Sequence, residues 1–85
     1  MRSLEHEVSR GHEADRILRS PLWSEAWEEY EGKIMAAWRA SSAKASQERE
    51  TLWLAFQLCQ KIKGHIESVM VTGKMAQKQV EELNK

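Results

Sequence analysis

The fold is decided by residues 47–83, which read QERETLWLAFQLCQKIKGHIESVMVTGKMAQKQVEEL. Apolar and small side chains recur in this stretch at alternating steps of three and four residues, the spacing of one face of an α-helix. This stripe consists of Leu52, Ala55 or Phe56, Cys59, Ile62, Ile66, Val69 or Met70, Gly73, Ala76, Val80 and Leu83. The stretch therefore predicts one long amphipathic helix that packs against other helices.

Gly73 is the position at which this helix has two interpretations. Because the three-four alternation continues beyond it, Gly73 can lie on the packing face and allow a neighbouring helix to approach closely. In the alternative, the helix ends at Val71, Gly73 supplies its C-cap and a short tail helix follows. We favour the continuous helix.

Ser20-Pro21 separates two earlier helices, predicted over about 3–19 and 21–40. Proline disfavours the helical conformation in the residue before it and is preferred as the first residue of a helix. Ser3 is a suitable N-cap for the first helix, and Ser20 is a suitable cap for the second. The second helix carries the best-patterned stripe, with members Trp23, Trp27, Tyr30, Ile34, Ala37 and Trp38.

The stretch 40–46 contains no large apolar residue and several serines, so we predict a turn there. Ser46 is expected to cap the long helix, with acidic residues in the first turn that follows.

The helix lengths predict the architecture. At about 1.5 Å per residue, the long helix spans roughly 55 Å and the second helix only some 30 Å. Placed end to end, the first two helices match the third. We therefore predict an all-α antiparallel helical hairpin, with a bent first arm (3–19 and 21–40) against one long helix (47–83), in a single domain over residues 1–85. Two arms bury too little surface to hide four tryptophans, so a dimer or larger bundle is expected to complete the fold.

Composition narrows the class of protein. The 13 basic and 13 acidic side chains balance, which lowers the expectation of nucleic-acid binding. The longest apolar runs are far shorter than the roughly 20 residues that a membrane span requires. The first residues are acidic and lack the apolar core of a signal peptide. We therefore expect a soluble protein with no membrane partner, in the cytoplasm of a host cell or in a virion.

No cluster of side chains specifies a reaction. His6, His12 and His65 lack the spacing of metal ligands, so surface positions are expected for them. Cys59 lies within the apolar stripe with no activating neighbour in sequence, which favours core packing over a nucleophile. We accordingly expect neither an enzyme nor a cofactor.

The candidate functional residues are of two kinds. The first kind forms a helix interface, because tryptophan and tyrosine at helical spacing are more often core or interface than a platform for bases. Its members are Trp23, Trp27, Tyr30, Ile34, Trp38, Leu52, Phe56, Ile62, Ile66, Met70, Gly73 and Val80. The second kind is basic, namely Lys61, Lys63, Lys74 and Lys78, which are candidates for nucleic-acid binding although a solvated flank explains them better.

Four stretches of the chain resemble short, uncharacterised helical proteins encoded by tailed bacteriophages. These stretches are 15–22 (DRILRSPL), 36–41 (AAWRAS), 49–53 (RETLW) and 72–74 (TGK). The family has no catalytic motif to transfer. The resemblance implies a role in virion assembly, DNA packaging or host takeover.

Three functions follow from these observations. The first is a non-enzymatic oligomeric assembly factor or virion component whose partners are other copies of itself and another phage or host protein. The second is a DNA-packaging accessory that forms a ring like a small terminase subunit. The third is a small inhibitor that binds a host protein through the acidic residues Glu25, Glu28 and Glu29.

Overall fold

The computed structural model describes residues 3–85, which form three α-helices and no strand. The helices are α1 (Leu4–Arg19), α2 (Pro21–Ala40) and α3 (Ser46–Leu83). The predicted all-α fold class is confirmed. The prediction that a signal peptide is lacking used a segment that begins with Met1 and Arg2. These two residues lie outside the described residues.

The ends of α1 follow from local side-chain chemistry. Ser3 is the N-cap, and its hydroxyl oxygen accepts a hydrogen bond of 3.2 Å from the backbone N–H of His6. Acidic residues occupy the first turn and basic residues the last, as the helix dipole favours. The helix ends at Arg19, and its C-cap Ser20 has a ψ of 125°, the extended conformation that a following proline favours.

The turn after α2 is held by its serines, as the sequence suggested. The hydroxyl of Ser41 donates a hydrogen bond of 2.6 Å to the carbonyl oxygen of Trp38 in the last turn of α2. The hydroxyl oxygen of Ser42 accepts from the backbone N–H of Lys44 at 3.2 Å. The first contact satisfies a carbonyl that the end of α2 leaves without an intrahelical partner, and the second lies within the turn itself.

The long helix α3 begins one residue earlier than expected. Ser46 is its first residue, and the carbonyl of Ala45 already accepts the N–H of Arg49 at 3.0 Å. Ala45 therefore occupies the capping position that was predicted for Ser46. At the other uncertain point the prediction is confirmed, because α3 continues through Gly73 to Leu83 without a break.

The chain divides into two compact units. The first contains α1, its end at Ser20, and Gly64–Lys85, whereas the second is Pro21–Lys63. Each unit thus consists of one short helix and one part of α3. Two predictions concern how these units combine: the single domain over residues 1–85 and the bent hairpin. Both stay predictions.

In the first unit, two glycines bring α1 and α3 into backbone contact. Gly11 and Gly73 are both buried. A Cβ atom on Gly73 would lie 2.5 Å from the Cα atom of Gly11 and 3.0 Å from the carbonyl oxygen of Glu7. Since real Cβ atoms do not approach other carbons so closely, no side chain fits between the helices here. Gly73 therefore permits the close approach that its place on the stripe predicted.

In the second unit, a polar contact joins α2 to α3. The carboxylate of Glu31 accepts a hydrogen bond of 2.8 Å from the ammonium of Lys63 and one of 3.0 Å from the amide of Gln60. The same ammonium lies 6.0 Å from the ring centre of Trp27, which itself packs edge to face on Trp23 at 5.2 Å. The ion pair, the amide hydrogen bond and the cation–π contact thus join α2 to α3, whereas the two indoles pack on each other along α2.

Both units bury little. Among the described residues, the only apolar side chains that are fully buried are the small ones of Ala14 and Ala76. No large side chain in the described part of the chain is completely enclosed. No helix of the described residues has both the length and the apolarity to cross a membrane.

Candidate interaction surfaces

Most of the predicted interface residues are half-buried within their own unit. This group contains Trp23, Trp27, Ile34, Trp38, Leu52, Phe56, Ile66, Met70 and Val80. Gly73 is fully buried, whereas Tyr30 and Ile62 are exposed, with 57% and 43% of their surface accessible. Other residues of the chain therefore cover part of these side chains, and their role at an interface with another copy or partner stays a prediction.

A tryptophan-lined groove opens in the second unit. Its walls are Ile34, Met35, Trp38, Leu52, Trp53 and Phe56, and its volume is about 130 Å³. The guanidinium of Arg49 stacks 4.0 Å above the ring of Trp38, which supplies a favourable cation–π contact. Trp53 remains 54% exposed on the rim. About half of the surface of Trp53 is thus available to a binding partner.

A second apolar face of the same unit runs along α3. Leu54, Leu58 and Ile62, which we call the outer stripe, follow one another at steps of four and therefore share one side of the helix. They are 54%, 59% and 43% exposed. Phe56, which lines the tryptophan groove, is about 200° around the helix from Leu58. The outer stripe thus lies on the side of α3 opposite to Phe56.

The sequence analysis did not include Leu54 and Leu58 among the interface residues. It followed a single three-four stripe along α3, and that stripe passes through Phe56 and Cys59 instead. The sequence does contain a sign of this second row, namely the large aliphatic residues at 54, 58 and 62. Such a regular row is typical of a helix face that packs and not of a solvated one. Trp53, Val71 and Met75 were also left out, and each is more than half exposed.

The four candidate lysines divide between the units. Lys61 and Lys63 belong to the second unit, and Lys74 and Lys78 belong to the first. Lys63 is half-buried and engaged with Glu31, so its ammonium already has a carboxylate partner. Lys61 is exposed. The structure therefore does not bring the four lysines together in one unit.

Lys74 and Lys78 line a groove in the first unit together with side chains of α1. The groove has a volume of about 410 Å³, and the charged or polar residues on its walls are His12, Asp15, Arg19, Lys74, Gln77, Lys78 and Glu81. Arg19 is held by Asp15 at 3.0 Å. We call this feature the basic groove, because its cations outnumber its two carboxylates.

The remaining candidates for chemistry stay apart. His6, His12 and His65 are exposed, and Cys59 is half-buried rather than fully buried in a core. Among residues 3–85, no three side chains of histidine, cysteine, aspartate or glutamate are grouped so as to hold a metal ion. The acidic residues Glu25, Glu28 and Glu29 are exposed on α2, and Glu29 pairs with Lys33 at 3.2 Å.

Comparison of the chain with models of protein families, with curated proteins and with solved structures finds no match.

Proposed function

We propose that this chain is a non-enzymatic helical oligomerisation and interaction protein, and that its role is a phage-type one in the assembly or structure of a virion. The observation that carries the proposal is the nearly absent core. Two alanines are its only fully buried apolar side chains among the described residues, whereas ten large hydrophobic residues are more than about 40% exposed. Such surfaces mark sites of association with other proteins.

The exposed apolar side chains support self-association, because a second copy of the chain can cover them. A balanced formal charge also removes net repulsion between copies. The assembly role itself depends on the resemblance of four sequence stretches to phage proteins.

The experiment that tests the proposal is sedimentation equilibrium of the purified chain over a hundredfold range of concentration. We expect a mass that is an integral multiple of 9.9 kDa and that falls only on dilution. A constant monomer mass at the highest concentration would reject self-association.

A second candidate, binding of DNA by an oligomer, is favoured by the basic groove. Arg19, Lys74 and Lys78 lie on its walls, and repetition of one such groove in a ring concentrates cations along one surface. In this case the chain retains duplex DNA at low salt, and retention falls steeply as salt rises. Replacing both Lys74 and Lys78 with glutamate abolishes retention, whereas Lys44→Glu, an exposed control in the turn after α2, leaves it nearly unchanged.

A further inference from the structure

We propose that two copies of the chain pair through the outer stripe of α3, with the two helices antiparallel about a twofold axis. This inference rests on the proposed function, because it names the surface and the geometry through which self-association occurs. It concerns the second unit alone, and the outer stripe shares only Ile62 with the residues that were expected to form the interface.

The first argument is the exposure of the stripe. Leu54, Leu58 and Ile62 form three successive contacts along one side of α3, and each leaves between 43% and 59% of its surface in water. On a helix whose opposite side already contacts α2, an aliphatic row of this kind is the seam that a second helix covers. The row uses the same surface on both copies, as a twofold interface requires.

The second argument is the charge on the flank of the stripe. Glu50 and Lys61 are both exposed, and they lie about three turns apart on the same flank. In an antiparallel pair the same flanks face each other. A twofold axis midway between these two residues therefore places Glu50 of each copy beside Lys61 of the other. The same axis brings Leu54 of one copy against Leu58 of the other, and it places Ile62 at the end of the seam, level with Glu50 of the other copy.

A parallel pair does not have this complementarity. There each flank faces the opposite flank of the other helix, which carries Glu48, Ala55 and Cys59 beside the stripe. Lys61 then faces uncharged side chains, and Glu50 lies at the level of Glu48, a like charge. Charged residues that flank an apolar seam set the orientation of helix pairs, so the sequence of this flank favours the antiparallel arrangement.

The first experiment compares two leucine-to-glutamate variants by sedimentation equilibrium. Leu58→Glu places a carboxylate without a partner at the seam of both copies, and we expect the dimer to weaken by roughly 100-fold or more. Leu22→Glu is the matched control, because Leu22 is even more exposed, at 72%, but lies on α2 outside the stripe. It should leave the dissociation constant unchanged. Circular dichroism establishes that each variant remains helical.

The second experiment reverses the flanking charges and does not alter the apolar seam. Glu50→Lys and Lys61→Glu, each alone, place like charges together across the antiparallel interface, and each should weaken the dimer by roughly 3- to 10-fold. The double variant restores the unlike pairs and should recover nearly the affinity of the unmodified chain. This series tests the proposal even if Leu58→Glu prevents folding.

The outcomes separate this inference from the proposed function. A chain that is monomeric at every concentration overturns both. A chain that associates equally well with Leu58→Glu overturns the outer stripe as the interface and leaves self-association standing. If Leu58→Glu weakens the dimer but the double charge reversal does not recover the affinity lost in the single charge reversals, the antiparallel arrangement is overturned.

Discussion

The close contact between α1 and α3 requires that Gly11 and Gly73 have no side chain. Each would place a Cβ atom within 2.7 Å of the Cα atom of the other, and the nearest atoms belong to backbone rather than to a flexible side chain. A helix that must shift to admit a methyl group loses contacts along its whole length. The contact therefore requires glycine at both positions, although helix propensity alone would favour alanine there.

We predict that Gly73→Ala lowers the free energy of unfolding by about 1–3 kcal/mol, although alanine has the higher helix propensity. Gly32 and Gly64 provide matched controls, since both lie within helices and a Cβ atom on either meets nothing within 4 Å. Gly32→Ala and Gly64→Ala should raise the free energy of unfolding by about 0.5–1 kcal/mol. Denaturant unfolding followed by circular dichroism measures all three. Equal effects at the three positions would contradict the backbone contact.

A second prediction concerns the ion pair between Glu31 and Lys63, which joins two helices. Its side chains are only 23% and 27% exposed and belong to different helices. A double-mutant cycle with Glu31→Gln and Lys63→Met should give a coupling energy of about 1 kcal/mol, since partial burial reduces screening of the charges.

The control for this cycle is the pair formed by Glu29 and Lys33, which lies along α2 and is more than 60% exposed on both sides. Exposed pairs at this spacing contribute about 0.3–0.5 kcal/mol. If the two cycles gave the same coupling energy, Glu31 and Lys63 would not hold α2 to α3.

At the scale of elements, the sequence predicted the helices well because their ends depend on neighbouring residues. Ser3, the Ser20-Pro21 pair and the serines after Ala40 act within a few positions of themselves, and the predicted ends agree with the structure to within one residue. The start of α3 was predicted less accurately. One hydrogen bond, from the backbone N–H of Arg49 to the carbonyl of Ala45, decides that Ser46 is the first helical residue and not the cap.

Periodicity does not assign the faces of a helix to their neighbours, because that depends on which neighbour covers which side. α3 carries two aliphatic rows, and periodicity alone does not tell which of them contacts α2. Tyr30 and Phe56 were assigned to one interface; Tyr30 is exposed and Phe56 is half-buried beside Trp38. The partner of Lys63 was likewise unpredictable, since Glu31 is 32 positions away in sequence.

For the whole molecule, we predict that thermal stability depends on protein concentration. When folding is coupled to association, a hundredfold increase in concentration stabilises the assembly by about 2.7 kcal/mol and raises Tm by roughly 5–10 °C. Calorimetry at several concentrations measures this shift. Leu58→Glu is expected to show a lower Tm that does not change with concentration. A constant Tm for the unmodified chain would indicate that the exposed apolar surface needs no second copy.

The edge-to-face pair of Trp23 and Trp27 has an optical consequence. Two indoles 5.2 Å apart with planes at 80° couple their electronic transitions, so light absorption by one is shared with the other. The pair should add its own band to the far-ultraviolet circular dichroism, on top of the signal from the helices. If that band is lost before the helical signal during unfolding, the two rings separate first, and no added label is needed to detect this. A helix content calculated from the spectrum without correction for the band would be in error.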